Sequence, residues 1–240
     1  MKQQIDFSDY KFRCSSLGKL MVNPRTKKDA LSVTTKNYLN EIHKEIVFGK
    51  STEIQSKYLD KGKQVEGDSL KLINTVCGKD YTINEQHFMG KKIQGTPDII
   101  ADPLIIDIKS SWDFTTFPMH AESLPSKDYY WQMQGYMALL GLKEARVVYC
   151  LVDTPATIIQ DEIRRISWSL GMIEVPMELE AEVYERLLYS DIPGELRIKE
   201  FAVEYNEEDI ERLYQRIDIC REYLTDLSVG LGERILKPII

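Results

Sequence analysis

Apolar and polar positions repeat with two different periods along this chain, and the switches between them predict its elements. Residues 15–22 (SSLGKLMV) read as a short helix behind a Ser cap, 23–29 as a basic loop and 33–48 as a helix. A long helical pattern runs from 51 to 77 and stops at Gly78. Residues 80–109 change to strand character (YTINEQHFM, KKIQGTPDIIA, LIIDIK), punctuated by Gly90, Gly95 and Asp102-Pro103. An irregular aromatic loop, 110–126, leads to a helix over 127–140 that Gly141 ends, and ARVVYCLV (145–152) reads as a buried strand. Helical spacing returns over 176–189 and 206–228, where Ile210, Leu213, Tyr214, Ile217, Leu224 and Leu227 fall on one stripe. The order predicts an α/β fold with a small mixed central sheet flanked by helices. Without repeats or Gly/Ser-rich linkers, 1–240 reads as one domain. It has a basic segment at 1–50, a core at 51–152 and a mainly helical part at 153–240.

One strand breaks its own pattern. In Leu104-Ile-Ile-Asp-Ile-Lys109, alternation puts Ile105, Asp107 and Lys109 on one face and Leu104, Ile106 and Ile108 on the other. Such an apolar run belongs in a sheet interior, where charge is costly unless paired or bound to metal. Alone, Asp-x-Lys would describe an exposed edge with a solvated pair. The preceding segment, Gly95-Thr-Pro-Asp98-Ile-Ile, enters the same strand through a turn at 101–104. Pairing Ile100 with Ile105 sets Asp98 opposite Asp107, with Cβ atoms about 5 Å apart, and like charges there repel. A hard divalent cation, Mg²⁺ or Mn²⁺, would relieve the repulsion, with the Ile108 carbonyl as a further oxygen ligand.

Two helices offer partners. Glu66 has Leu59, Gly62, Lys63, Ser69, Leu70 and Ile73 as helical neighbours, so it sits on a largely small or apolar stripe. It either faces the core or snorkels out beside Lys63. Gln132 and Tyr136 share a face of the 127–140 helix; Gln132 suits orienting a ligand or phosphate, and Tyr136 suits either a phosphate contact or plain core packing.

The ordered set Glu66, Gly95-Thr-Pro-Asp98, Asp107-Ile-Lys109 and Gln132-x-x-x-Tyr136 resembles the PD-(D/E)XK nuclease superfamily, with its restriction-endonuclease-like core. It is most similar to the branch that holds RecB-type nuclease domains and the YqaJ/lambda-exonuclease-like phage recombination nucleases. The likeness spans about 61–140, extends more loosely over 11–25, and leaves the C-terminal hundred residues unassigned. Asp107 stands where these families often carry the longer Glu, and Ile99 where the nearest viral enzymes carry a small residue. The resemblance implies a Mg²⁺-dependent DNA exonuclease, 5′-to-3′ on linear duplex, in phage-type recombination or repair. Asp98, Asp107, the Ile108 carbonyl and Glu66 would hold metal, Lys109 would serve the attacking water, and Gln132 and Tyr136 would organise the site. Arg13, Ser15, Ser16 and Lys19 match the segment that helps hold a DNA 5′ end in lambda-exonuclease-like members. Arg25 and Trp112, with Phe114 and Phe117 in the same loop as Trp112, are further DNA-contact candidates. A single-strand annealing partner and a ring-shaped oligomer, a trimer in one form, are implied too. An endonuclease, a helicase-associated repair nuclease and a catalytically silent DNA-binding module are the alternatives on the same fold.

Composition sharpens this in three ways. The formal net charge is −7, which disfavours a simple nucleic-acid coat. The charge is uneven, however. Residues 1–50 carry ten Lys and Arg against five Asp and Glu, and residues 151–240 carry ten against twenty. The four cysteines (Cys14, Cys77, Cys150, Cys220) are widely spread, so buried thiols in a reducing compartment are expected rather than a disulfide framework or an iron–sulfur cluster. No stretch approaches the roughly 18 apolar residues that span a bilayer, and the N-terminal stretch has no signal-type apolar core, so a cytoplasmic protein is expected.

Overall fold

The computed structural model describes residues 5–26, 28–51, 57–172 and 174–236. In chain order the first elements are β1 (Phe12–Arg13), a 3₁₀ turn at Cys14–Ser16, α1 (Leu17–Leu20), α2 (Val33–Phe48), α3 (Lys57–Gln64) and α4 (Glu66–Cys77). The strands β2 (Phe88–Met89), β3 (Ile93–Gly95), β4 (Ile99–Ala101) and β5 (Leu104–Ser110) follow, then α5 (Lys127–Leu140) and β6 (Glu144–Cys150). The chain ends with α6 (Ala156–Ser169), α7 (Met177–Leu187), a 3₁₀ turn at Gly194–Arg197, β7 (Ile198–Glu204) and α8 (Glu207–Leu236).

The strands form two small mixed sheets rather than one. The larger has the order β4-β5-β6-β7, with β5 and β6 parallel and both outer pairs antiparallel. The smaller has the order β1-β3-β2. β5 is apolar on both faces because both are covered. Ile105 joins Leu17, Met133, Met137 and Ile217 on the α5 side, while Ile106 and Ile108 join Val65, Leu72, Ile73 and Ile99 on the α4 side. A parallel-paired strand buried on both faces reads as this kind of apolar run. The β4–β5 hairpin pairs Ile100 with Ile105, the register its spacing predicts, and the bond between Asp102 and Pro103 is cis.

Several elements differ from expectation. The long helix divides at Val65 into α3 and α4, although Val65 N–H still donates to Lys61 C=O and Ser69 N–H to Val65 C=O. Residues 52–56, within that predicted helix, lie outside the described residues. Ser16 stands at the start of α1 but makes no capping hydrogen bond. Only Phe88 and Met89 of the predicted strand at 81–89 pair. Asn84 instead takes the backbone bonds there: its N–H donates to Asp98 C=O at 2.7 Å and its side chain to Pro97 C=O at 2.9 Å. The unassigned stretch after residue 152 contains α6, which packs on α7 through Ile159, Ile163, Val183 and Leu187. β7 adds a seven-residue antiparallel edge along β6. Cys14, Cys150 and Cys220 are buried but Cys77 is exposed, and all four are free thiols. Among the described residues no helix is long and apolar enough to cross a membrane.

Candidate active site

The hairpin, α4 and α5 converge on one open cleft of about 520 Å³, lined by Ser15, Gly62, Lys63, Glu66, Asp98, Asp107, Ile108, Lys109, Ser110, Tyr129, Gln132 and Tyr149. Asp107 is 1% exposed and Asp98 is half-buried. One oxygen of each carboxylate is tied to the scaffold. Asp98 Oδ2 accepts from the Ile108 N–H at 2.7 Å, across the hairpin. Asp107 Oδ1 accepts from Gln132 Nε2 at 2.8 Å, across to α5. Asp107 Oδ2 is buried and accepts no well-aligned hydrogen bond, but it lies 2.6 Å from Lys109 Nζ.

These contacts set the electrostatics. Burial, then the Asp107 charge, pushes Asp98 up to about 7, with Glu66 adding to the push and the Ile108 N–H and Lys109 opposing it. Burial likewise raises Asp107 above the usual carboxylate range, against the pull of Lys109. For Lys109, burial alone would lower the ammonium, but the Asp107 charge outweighs it and the net shift is upward. The ammonium also sits 4.6 Å over the Tyr129 ring.

Behind the carboxylates runs a hydrogen-bonded chain. Gln132 Nε2 also donates to Tyr136 Oη at 3.2 Å, and Tyr136 Oη donates to Thr96 C=O at 3.1 Å, just before Pro97-Asp98. Tyr136 is thus buried scaffold and not a cleft-facing group. The chain needs close approach: a Cβ on Gly95 would come within 2.6 Å of Tyr136 Cε1, and one on Gly135 within 2.5 Å of Leu17 Cδ1.

The expected N-terminal contacts separate. Ser15 lines both the cleft and a neighbouring pocket of about 460 Å³ that Arg13, His87, Gln94, Thr96 and Tyr136 complete. Lys19 instead lies 4.8 Å over the Tyr38 ring, and Ser16 hydrogen-bonds to Tyr38. Arg25 is exposed in the loop between α1 and α2, away from the residues that line the cleft. Trp112, expected as a DNA contact, is buried instead. It is 8% exposed, its loop turned into the body, so its ring presents no face for DNA to stack on. Phe117 is buried with Leu151 and Tyr189, and only Phe114 of the three aromatics is exposed. Sequence reasoning missed Tyr129 and Tyr149. Tyr129 precedes Gln132 by three on α5, a spacing that gives it the same face, and Tyr149 is the β6 register partner of Lys109.

Among the described residues no three His, Cys, Asp or Glu side chains are close enough to clasp a metal by themselves. Two carboxylates at the floor, with Asp107 Oδ2 held only by its ion pair with Lys109, and Glu66 at electrostatic range still suit Mg²⁺, which keeps several waters and takes one or two protein carboxylates plus substrate phosphate.

The fold is that of the phage-type exonucleases of the PD-(D/E)XK class. The chain is similar to the solved structure of a phage-related exonuclease from Haemophilus somnus 129PT, at 26% identity and a TM-score of 0.75, covering 93% of this chain and 97% of that one. The fold is also shared with an alkaline exonuclease (LHK-Exo) from Laribacter hongkongensis, at 14% identity and a TM-score of 0.65, over 95% of this chain and 94% of that one. LHK-Exo in complex with dAMP matches at 15% identity and a TM-score of 0.63, over 94% and 93%. No family model and no curated protein matches the sequence.

Proposed function

We propose that this protein is a divalent-metal-dependent DNA exonuclease that hydrolyses linear duplex from the 5′ end. The observation that carries the reading is the pairing of Asp98 and Asp107 across one hairpin, with Lys109 Nζ 2.6 Å from Asp107 Oδ2 and the pair lining an open cleft. Asp98, Asp107, the Ile108 carbonyl and Glu66 would hold Mg²⁺ or Mn²⁺, which supplies Lewis-acid charge at the scissile phosphate. Gln132 fixes Asp107 so that Oδ2 stays turned to Lys109, and the Ile108 N–H fixes Asp98. Lys109 orients the attacking water and offsets phosphate charge as it develops. Ser15, which lines both the cleft and the neighbouring pocket, and Arg13, which lines the pocket, would grip the phosphate of the 5′ end. The dAMP of the LHK-Exo complex is a nucleoside monophosphate, the product class such hydrolysis releases. A single-strand annealing partner, a ring of subunits and a host-cytoplasmic setting belong to the same reading.

The test is digestion of end-labelled linear duplex in Mg²⁺, with and without a 5′ phosphate, beside covalently closed circles. The wild type should release nucleotides from the phosphorylated linear substrate and spare circles. Lys109→Ala and Asp107→Ala should each lower the rate at least about a hundredfold, the scale seen when one preorganised charge is removed from an active site. Cleavage of circles would replace the exonuclease reading with an endonuclease. Full activity in both variants would remove the site assignment.

A further inference from the structure

We propose that Lys61 is a positioning residue for Glu66, its buried ammonium clamping the acid-bearing helix pair to the loop that leaves the catalytic strand; the proposal rests on the nuclease reading above.

Lys61 is 1% exposed, which is rare for a lysine. Of residues 61–64 only this side chain is buried, while its neighbours Gly62 and Lys63 line the cleft. Nζ donates to the Trp112 C=O at 2.7 Å. It lies 5.9 Å from the Trp112 ring centre and 6.0 Å from that of Tyr189, at the outer range of cation–π contact. The carboxylates of Asp113 and Asp153 act on it electrostatically. The partners come from three segments: Trp112 and Asp113 follow β5, Asp153 follows β6, and Tyr189 follows α7.

Those segments are themselves cross-tied. Tyr189 Oη accepts from the Phe114 N–H at 3.2 Å and donates to Arg186 C=O at 2.6 Å, and Asp153 Oδ1 accepts from the Ser190 N–H at 2.9 Å. Lys61 therefore grips a fixed floor. On its other side its own C=O accepts from Val65 N–H at 3.0 Å, and Glu66 is the next residue, the first of α4. The reach from floor to acid is thus one side chain and one helical turn.

Packing alone would not select lysine here. Burial penalises the charge and an apolar side chain of similar length would sit more cheaply, whereas the N–H···O bond to Trp112 fixes direction as apolar contact does not. Direction matters at this position because Glu66 has to meet Asp98 and Asp107 from a helix that begins at a break.

The experiment compares wild type, Lys61→Met, Glu66→Ala and the double variant by kcat and by the apparent Mg²⁺ constant on end-labelled duplex. Lys61→Met should weaken Mg²⁺ dependence or lower kcat by about 10- to 100-fold, the usual effect of losing a group that orients a ligand. In the Glu66→Ala background the same substitution should have less than about a threefold effect, because coupled residues are not additive. A Lys61→Met protein that melts lower but keeps wild-type kcat and Mg²⁺ dependence overturns the proposal, as does a loss that multiplies in full on Glu66→Ala. If Lys61→Met does not fold, Lys61→Gln decides, since it keeps a donor and removes the charge. It should show a smaller loss of the same kind, and wild-type constants there overturn the proposal. A wild-type protein with no Mg²⁺-dependent hydrolysis overturns the nuclease reading and this proposal together, whereas active wild type with unaffected variants overturns this proposal alone.

Discussion

Asp98 and Asp107 face each other across a hairpin with too little positive charge between them, and Asp98 carries the consequence. Its carboxyl is pushed from 3.8 up to about 7, first by burial and then by Asp107. Between about pH 4 and 7 the folded chain therefore holds a proton that the unfolded chain has released. More protons on the folded state means that stability falls as pH rises through this window. Asp98→Asn removes that titration and keeps an oxygen for the Ile108 N–H. Without metal, the variant should gain in melting temperature relative to wild type as pH rises from 4 to 7, and the difference should level off above. Cation binding requires the released carboxylate, so Mg²⁺ should stabilise the wild type most at and above pH 7 and lose its effect on acidification. Thermal melts in EDTA and in Mg²⁺ across this range check both signs. A wild-type-minus-variant difference independent of pH would show that Asp98 is not the group that titrates.

Helix α5 puts two glutamines, two residues apart, to different uses. Gln132 faces the cleft side and holds Asp107 Oδ1. Gln134, fully buried, donates to Glu204 C=O at 2.6 Å and accepts from Asn206 N–H at 2.9 Å, joining α5 to the turn between β7 and α8. Gln134→Leu leaves two backbone groups unpaired and should lower unfolding free energy by about 1–3 kcal/mol with little change in kcat. Gln132→Leu should lower kcat by about 10- to 100-fold, since it frees a carboxylate the chemistry depends on. Urea melts and single-turnover digestion separate the two, and equal kinetic losses would refute the division. The same helix marks how far sequence reaches. Its span, the Ile100–Ile105 register and the two faces of β5 follow from local periodicity, because each is decided by neighbours in the chain. β7 is harder: only Phe201 and Val203 of its seven residues are buried, so its alternation covers half the strand. The burial of Lys61 leaves no local trace, because its hydrogen-bond partner lies in a loop fifty residues onward. Trp112 misleads in the same way: an aromatic in a loop reads as a free surface, whereas its burial is settled by the tertiary fold.

Across the whole molecule, the net charge of −7 conceals a polarity that matters for a polyanionic substrate. Part of the acidity, Glu66, Asp98 and Asp107, lines the cleft where a cation would neutralise it. Much of the rest lies in 151–240, with seven carboxylates against three arginines over α6, α7 and their connection. The basic excess lies in residues 1–50, whose Ser15 borders the cleft and whose Arg13 lines the neighbouring pocket. On the exonuclease reading proposed above, a duplex end would meet Arg13 beside the cleft and be repelled by the acidic helices, which would help orient it before closer contacts form. Phosphate contacts release counterions, so affinity for a linear duplex should fall linearly with the logarithm of salt concentration. Arg13→Ala should reduce the magnitude of that slope by about one, the signature of one lost phosphate contact, and weaken binding alike for every end sequence. Lys28→Ala, which removes an exposed charge from the basic segment away from the cleft, should leave the slope nearly unchanged. Fluorescence anisotropy of labelled duplex between 50 and 200 mM salt, with Ca²⁺ in place of Mg²⁺ to suppress cleavage, gives all three slopes. Equal slopes for wild type and Arg13→Ala would place the DNA end elsewhere, and an effect of Lys28→Ala as large as that of Arg13→Ala would reduce the grip to diffuse charge.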